Sequence, residues 1–237
     1  MNIALILAGG TGVRMGGSIP KQFIEVYGKP VITYTLETVE KHPEIDVIAV
    51  VSVESWKDEV LSYREKYDIS KLKHVIIGGK TAQESIRNGL FALEKIYNQN
   101  DFVMITDSVR PLVSDAIISD SLLKAREYGI SMAAIPCPDA MFVTEDGKTT
   151  TEEYPRDKLR RTQRPHSFRL GKACEVHRKA MDVGIENATC TTAIAVKLGE
   201  RIALSLGSEN NLKLTTMEDI NIFKALLKQE DNCFESF

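Results

Sequence analysis

The residues best suited to chemistry lie in a glycine-rich segment that directly follows the first apolar run, LAGGTGVRMGGSIPKQF at positions 7–23. Glycines allow main-chain N–H groups to approach an anion closely. Two cations in the same segment, Arg14 and Lys21, are able to bracket a polyphosphate. The alternative is a glycine-rich turn that carries two solvated cations. We favour the anion site, whose main-chain lining then comes from Leu7, Ala8, Gly9 and Gly10.

Two common phosphate-binding motifs do not fit this segment. In the dinucleotide pattern GxGxxG, Met15 occupies the third glycine position after Gly10 and Gly12. In the P-loop pattern, counted from Gly12 and Gly17, Ser18 occupies the lysine position. The segment therefore indicates another kind of nucleotide loop.

The composition of the 237-residue chain argues against several classes of protein. The formal net charge of -3 indicates no nucleic-acid surface, so a local basic site must hold any anionic substrate. No apolar run approaches the roughly 20 residues of a membrane span, and no signal peptide is recognisable. The histidine spacing predicts no zinc site. The absence of a CxxC pair predicts reduced thiols in a cytoplasmic protein, at Cys137, Cys174, Cys190 and Cys233.

The elements that must position the glycine-rich segment alternate between short β-branched runs and helix-period segments. This alternation predicts an α/β fold, a doubly wound and mostly parallel twisted sheet, in one domain over residues 1–237. Ligands of such sheets bind at the carboxyl ends of the strands. The predicted strands are 3–7, 47–53, 74–77, 102–106, 131–135 and 202–206. The predicted helices are 31–41, 56–66, 82–96, 116–127, 170–183 and 217–227, with Ile86, Leu90 and Leu93 on one face of the third.

One stretch, MFVTEDGKTTTEEY at positions 141–154, interrupts this alternation. Asp146-Gly147 is a favourable hairpin turn between Thr- and Val-containing flanks, which predicts a protruding β-arm over about residues 138–156. The alternative is a mobile surface loop. An isolated hairpin gains stability by packing on a partner, so the arm predicts a homodimer.

The loop LAGGTGVRMG followed by PKQF resembles that of nucleotidyltransferases that join a nucleoside triphosphate to a sugar or polyol phosphate. The PKQF ending is similar to that of the cytidylyltransferase family that includes the methylerythritol-phosphate and ribitol-5-phosphate enzymes. The resemblance implies a Rossmann-like nucleotidyltransferase fold. It also implies that Arg14 and Lys21 stabilise charge developing on the triphosphate of CTP.

Further motifs extend the resemblance over nearly the whole chain. GGKTAQESIRNGL, at positions 78–90, looks like the family's cytosine-binding turn, which implies base contacts from Gly79, Lys80 and Ser85. TDSVRP, at positions 106–111, implies that Asp107 holds Mg²⁺ and the triphosphate. Arg156 and Lys213 match the two residues that position the acceptor phosphate. The structural alternatives are that Ser85 is an ordinary helix serine and that Asp107 caps a helix. Arg156 and Lys213 would then be surface charges.

The reaction implied by the resemblance is attack by the acceptor's phosphate oxygen on the α-phosphorus of CTP, with release of pyrophosphate. Several positions depart from the family pattern: Ala82, Ala140, Cys190 and the RPH stretch at 164–166. DSVRP combined with LAGGTG looks more like the ribitol-phosphate branch, which implies a CDP-polyol for a capsule or teichoic-acid-like surface polymer. The alternatives are a methylerythritol-phosphate cytidylyltransferase and a nucleotide-binding regulator that has lost catalysis.

Overall fold

The computed structural model describes residues 1–10 and 19–234 of the chain. Its strands are β1 (Asn2–Ala8), β2 (Glu25–Val26), β3 (Lys29–Pro30), β4 (Val47–Ser52), β5 (Leu72–Ile77), β6 (Phe102–Asp107), β7 (Ile130–Pro136), β8 (Met141–Val143), β9 (Glu152–Tyr154), β10 (Arg160–Arg169) and β11 (Ala203–Leu206). Its α-helices are α1 (Val31–Lys41), α2 (Lys57–Lys66), α3 (Ala82–Glu94), α4 (Asp115–Tyr128), α5 (Leu170–Asp182), α6 (Thr191–Lys197) and α7 (Met217–Phe234).

A sheet of seven strands forms the centre of the described structure, in the order β11-β7-β10-β6-β1-β4-β5. The neighbouring strands pair in parallel, except that β10 runs antiparallel to both β6 and β7. Because β1, β4, β5 and β6 run in the same direction, the loops that follow them meet at one edge of the sheet. The predicted mostly parallel α/β fold is confirmed.

Helices cover both faces of this sheet, as the alternating burial of β1 shows. Ile3 and Leu5 face a cluster that contains residues of α3, α5 and α6, whereas Ala4 and Ile6 face a cluster that contains residues of α1, α2 and α4. All four side chains are fully buried. Burying a side chain of this size contributes about 1.5–3 kcal/mol, so a strand buried on both faces is strongly anchored. The sheet is therefore a firm support for the loops at its edge.

Local periodicity predicted most of the elements correctly. The three predicted core residues of α3, Ile86, Leu90 and Leu93, all lie in the same hydrophobic cluster. Strand β10, helix α6 and the short β2–β3 pair were not predicted from the sequence. The last helix was predicted to end at position 227, whereas α7 reaches Phe234.

Strands β8 and β9 form a separate two-stranded antiparallel sheet in which Met141 lies opposite Tyr154. Their connection, residues 144–151, is longer than the two-residue hairpin expected at Asp146-Gly147. Within it the two residues do make a tight turn: Oδ1 of Asp146 accepts the N–H groups of Lys148 and Thr149, each at 2.8 Å, and Gly147 has a φ of 69°. The side chains of β8 and β9 are exposed.

Candidate active site

A cavity of about 500 Å³ lies where the loops after β1, β4, β5 and β6 converge. It brings together residues that the sequence analysis selected from motifs far apart in the chain. The predicted residues that line it are Leu7, Gly9, Gly10, Lys21, Gly79, Lys80, Ser85, Asp107 and Lys213. Ala8 lies just beneath the lining with 1% of its surface exposed.

Gln22 ties the end of the glycine-rich segment to strand β1. Its Nε2 donates hydrogen bonds to the carbonyl oxygens of Ala8 at 2.7 Å and Gly10 at 2.8 Å, and the residue is 1% exposed. Gln22 belongs to a short 3-10 helix, Lys21–Phe23, that also carries Lys21. This bond pair therefore sets the position of Lys21 relative to the glycine backbone. The PKQF motif contained Gln22, but no local rule identified its partners.

The turn between β5 and α3 forms the opposite wall of the cavity. At Gly79 any side chain would collide with Glu84, whose Cβ would lie 2.3 Å from the added Cβ. Oε2 of Glu84 accepts the N–H of Lys80 at 2.7 Å, and Oγ of Ser85 accepts the N–H of Gly79 at 3.0 Å. Thr81 caps α3 through the N–H of Glu84. The Ser85 hydroxyl thus shapes the turn as well as lining the cavity.

Asp107, at the end of β6, is the charged centre of the site. Its Oδ2 lies 3.1 Å from Nε of Arg110 and 3.3 Å from Nζ of Lys213, and its Oδ1 lies 3.9 Å from Nε of Arg164. Burial by itself raises the pKa of this carboxyl, but the charges of Arg164, Lys213 and Arg110 outweigh burial and hold the pKa well below its usual range. Asp107 is therefore ionised throughout the neutral pH range.

Arg164 was not predicted as a site residue, although the RPH stretch that contains it departs from the family pattern. The residue lies on β10, is 6% exposed and lines the cavity. The antiparallel pairing of β10 with β6 reaches His166 opposite Ile105, and Arg164, two residues earlier on β10, comes within 3.9 Å of Asp107 at the end of β6. Because the pairing is between strands distant in the chain, no local pattern revealed it.

Arg156, another predicted cation, is not among the described residues that line this cavity. Arg156 lies in an exposed 3-10 helix, Arg156–Lys158, after the β8–β9 sheet, and its Nη1 donates to the carbonyl oxygen of Pro138 at 2.6 Å. Arg156 therefore lies apart from the described residues that line the cavity of the same chain. Arg14 lies outside the described residues.

Asp107 is the residue available to a divalent cation at this site. Among the described residues there is no group of three or more His, Cys, Asp or Glu side chains that could hold a metal. Mg²⁺ commonly needs only one or two carboxylates, because substrate phosphates and water complete its shell. Since Arg110 and Lys213 approach Oδ2, the less closely paired Oδ1 fits such a role. Cys190, which stands where a second acid was sought, instead contacts Thr192 at 3.2 Å.

Comparisons with known proteins find relatives that match nearly the whole chain. Residues 2–229 match the family described as IspD, 2-C-methyl-D-erythritol 4-phosphate cytidylyltransferase. A ribitol-5-phosphate cytidylyltransferase from Vibrio parahaemolyticus is 39% identical, over 98% of this chain and 98% of its own length. A 2-C-methyl-D-erythritol 4-phosphate cytidylyltransferase from Clostridium novyi is 34% identical, over 98% of this chain and 99% of its own.

The fold has a close counterpart of known structure. The crystal structure of 4-diphosphocytidyl-2C-methyl-D-erythritol synthase from Anaerococcus prevotii superposes with a TM-score of 0.80, at 25% identity over 96% of this chain and 98% of its own. No described helix is long and apolar enough to cross a membrane. From the matched residues and the shared fold, the chain belongs to the IspD family of cytidylyltransferases.

Proposed function

We propose that this protein transfers CMP from CTP to D-ribitol 5-phosphate, giving CDP-ribitol and pyrophosphate. The observation that carries the proposal is a single cavity lined by two glycine turns, Lys21, and the cluster of cations around Asp107. Glycine turns suit a nucleotide, and clustered cations suit the meeting of two phosphorylated molecules.

The nucleotide occupies the half of the cavity beneath β1 and β5. In this arrangement the base rests on the turn that contains Gly79, Lys80 and Ser85, and the triphosphate follows the main chain from Leu7 to Gly10. Lys21 and Arg14 neutralise the charge that gathers on the leaving pyrophosphate. Lys213 holds the acceptor phosphate, and Arg156 reaches it from the arm of a second copy.

The chemistry requires no side-chain nucleophile. A phosphate monoester has a second pKa near roughly 6 and is largely dianionic at neutral pH, so it already carries the attacking electron pair. Its oxygen forms a bond to the α-phosphorus while the bond to the β-phosphate oxygen breaks, and pyrophosphate leaves with that electron pair. The barrier is electrostatic repulsion between anions, which fixed cations lower. Mg²⁺ held by Asp107 would supply further charge neutralisation on the phosphates.

Sequence identity favours ribitol 5-phosphate as the acceptor. The chain is 39% identical to the ribitol-5-phosphate enzyme of Vibrio parahaemolyticus and 34% identical to the methylerythritol-phosphate enzyme of Clostridium novyi. The second candidate acceptor is 2-C-methyl-D-erythritol 4-phosphate, in view of the family description. For the first acceptor, the product is an activated polyol made in the cytoplasm for a capsule or teichoic-acid-like polymer.

The proposal includes a homodimer built through the β8–β9 arm. Four large hydrophobic side chains of the arm are between 41% and 57% exposed, and a partner would remove them from water: Met141, Phe142, Val143 and Tyr154. Light scattering at micromolar concentration should give the mass of a dimer, and a monomer would contradict this part of the proposal.

The experiment that tests the reaction is a panel of polyol and sugar phosphates incubated with CTP and Mg²⁺ and assayed for pyrophosphate. Ribitol 5-phosphate should give the highest kcat/KM. Faster turnover of 2-C-methyl-D-erythritol 4-phosphate would move the assignment to the second candidate. No pyrophosphate with any acceptor would refute the proposed function.

A further inference from the structure

Arg164 is a buried cation whose contacts leave much of its hydrogen-bonding capacity unused. Among the described residues, its Nε meets Oδ1 of Asp107 at 3.9 Å and its Nη1 meets Nδ1 of His166 at 3.5 Å. Both separations lie at the outer limit for such contacts, while a guanidinium carries five N–H donors. A buried charge held this loosely is costly unless a ligand completes its shell.

His166 fixes one side of that guanidinium through a defined tautomer. Its Nε2 lies 2.9 Å from the carbonyl oxygen of Gln163, which can only accept, so Nε2 carries the proton. Burial holds the pKa of His166 well below its usual value, so the ring is neutral and Nδ1 presents a lone pair, which accepts from Oγ1 of Thr192 at 3.0 Å and faces Nη1 of Arg164. The neutral ring thus orients Arg164 and adds no positive charge beside it.

The net positive charge around Asp107 favours an anionic ligand. Three cations, Arg110, Arg164 and Lys213, approach one carboxylate, so the cluster has an excess of two positive charges. A phosphate monoester carries about -1.5 to -2 at neutral pH, which offsets that excess. A guanidinium fork also matches two phosphate oxygens at once.

Strand order assigns this ligand to one end of the cavity. The two glycine turns follow β1 and β5, whereas Arg164 lies on β10, on the other side of β6. The nucleotide turns and Arg164 therefore flank Asp107 from opposite directions. We propose that Arg164 binds the phosphate of the acceptor substrate and that His166 is its positioning residue. This inference rests on the proposed function and adds a residue to the acceptor end of its site.

Kinetics of Arg164→Gln test the proposal directly, with ribitol 5-phosphate and CTP as substrates. The kcat/KM for the acceptor should fall by roughly 100-fold, while the Kd of CTP measured by calorimetry stays within about threefold of wild type. Arg164→Lys keeps the positive charge but loses the forked guanidinium. Its kcat/KM for the acceptor should lie between the values for Arg164→Gln and wild type. Arg169→Gln removes an exposed arginine from the same strand and should match wild type. An equal loss of CTP affinity, or an unchanged acceptor kcat/KM, would overturn the assignment.

His166 is tested by a pair of polar variants whose folding is checked by thermal unfolding. His166→Gln can still donate to Gln163 but lacks an acceptor at the place of Nδ1, so the KM for the acceptor should rise about tenfold without a change in CTP affinity. His166→Asn offers an acceptor near that place and should restore most of the loss. Equal KM values for both variants would show that the ring does not position Arg164.

Failure of the proposed function is distinguishable from failure of this inference. If wild type transfers CMP to no acceptor, the CTP-loaded protein is titrated with inorganic phosphate by calorimetry. Binding to wild type that weakens at least tenfold in Arg164→Gln would support the inference alone. Equal binding by both proteins, or no binding to wild type, would overturn it.

Discussion

Replacing Asp107 with asparagine should destabilise the protein far more than loss of a surface ion pair. The substitution keeps the shape of the side chain but removes the negative charge from between Arg110, Arg164 and Lys213. Two of these cations, Arg110 and Arg164, are less than 10% exposed, so water cannot replace the lost carboxylate. Three mutually repelling cations then remain at one site.

The magnitude follows from the separations. At 3.1–3.9 Å, and with an effective dielectric constant of about 20, each attraction is worth roughly 5 kcal/mol before the cost of burying the charges. Removing one partner of a buried ion pair typically costs 3–5 kcal/mol net. Since the side chain of Lys213 is 44% exposed, we take the lower end, about 3 kcal/mol. For a chain of this size that lowers Tm by roughly 6–12 °C.

Urea unfolding in phosphate-free buffer at pH 7 measures this loss, and added inorganic phosphate should restore part of it. Because the pKa of Asp107 is depressed, its contribution is present above an unfolded-state pKa of about 4 and disappears only as pH falls through the lower folded-state value. The deficit should therefore persist at pH 5. The matched control is Glu44→Gln, which breaks an ion pair with Arg126 whose side chains are 34% and 39% exposed, and which should cost about 1 kcal/mol or less. An Asp107→Asn protein as stable as wild type without phosphate would refute the electrostatic reasoning.

Three further variants test other parts of the structure. Lys21→Ala should lower pyrophosphate release by roughly 10²- to 10³-fold at an unchanged Tm, and near-normal turnover would defeat its triphosphate role. Gln22→Leu loses two hydrogen bonds, to the carbonyl oxygens of Ala8 and Gly10. The free energy of unfolding should therefore fall by roughly 2–3 kcal/mol, and the KM for CTP should rise. Wild-type values of both quantities would show that these bonds do not hold the glycine turn. Burial lowers the pKa of His177 to about 4, so below about pH 6.5 the unfolded chain binds a proton that the folded chain does not. Stability should fall by roughly 2 kcal/mol from this group between pH 7 and pH 5, and denaturant unfolding of His177→Gln should lack that part of the decline.

Local patterns predicted the parts of the fold that depend on local physics. The face formed by Ile86, Leu90 and Leu93 follows from helical periodicity, and the structure buries all three. Strand β10 was missed because RRTQRPHSFR combines four arginines with a proline, which is unfavourable for a strand. Residues 163–168 are nevertheless buried, and residues 166–168 pair with β6 on one side and with β7 on the other. Long-range pairing overrides propensity at this strand.

The difference between local and long-range interactions also explains which site residues were predicted from the sequence and which were not. Lys21 and Asp107 stand in short motifs beside strand ends, so their place at the sheet edge follows from the topology. Gln22 and Arg164 act through partners in other elements: the carbonyl oxygen of Ala8 for one and the carboxylate of Asp107 for the other. Neither partner is indicated by the spacing of nearby residues.

The direction of β10 determines the kind of cation that reaches the Asp107 end of the cavity. A parallel strand would present its carboxyl end at this edge of the sheet, whereas antiparallel β10 presents the residues that precede its pairing with β6, which begins at His166. Arg164 is such a residue, with a side chain 7% exposed, while Lys213 lies in a loop with a side chain 44% exposed. Salt screens an exposed charge strongly and a buried one weakly. The attraction of Arg164 for a phosphate should therefore survive raised ionic strength better than that of Lys213. Comparing the salt dependence of acceptor KM in Arg164→Gln and Lys213→Gln measures this difference, and equal slopes would contradict it.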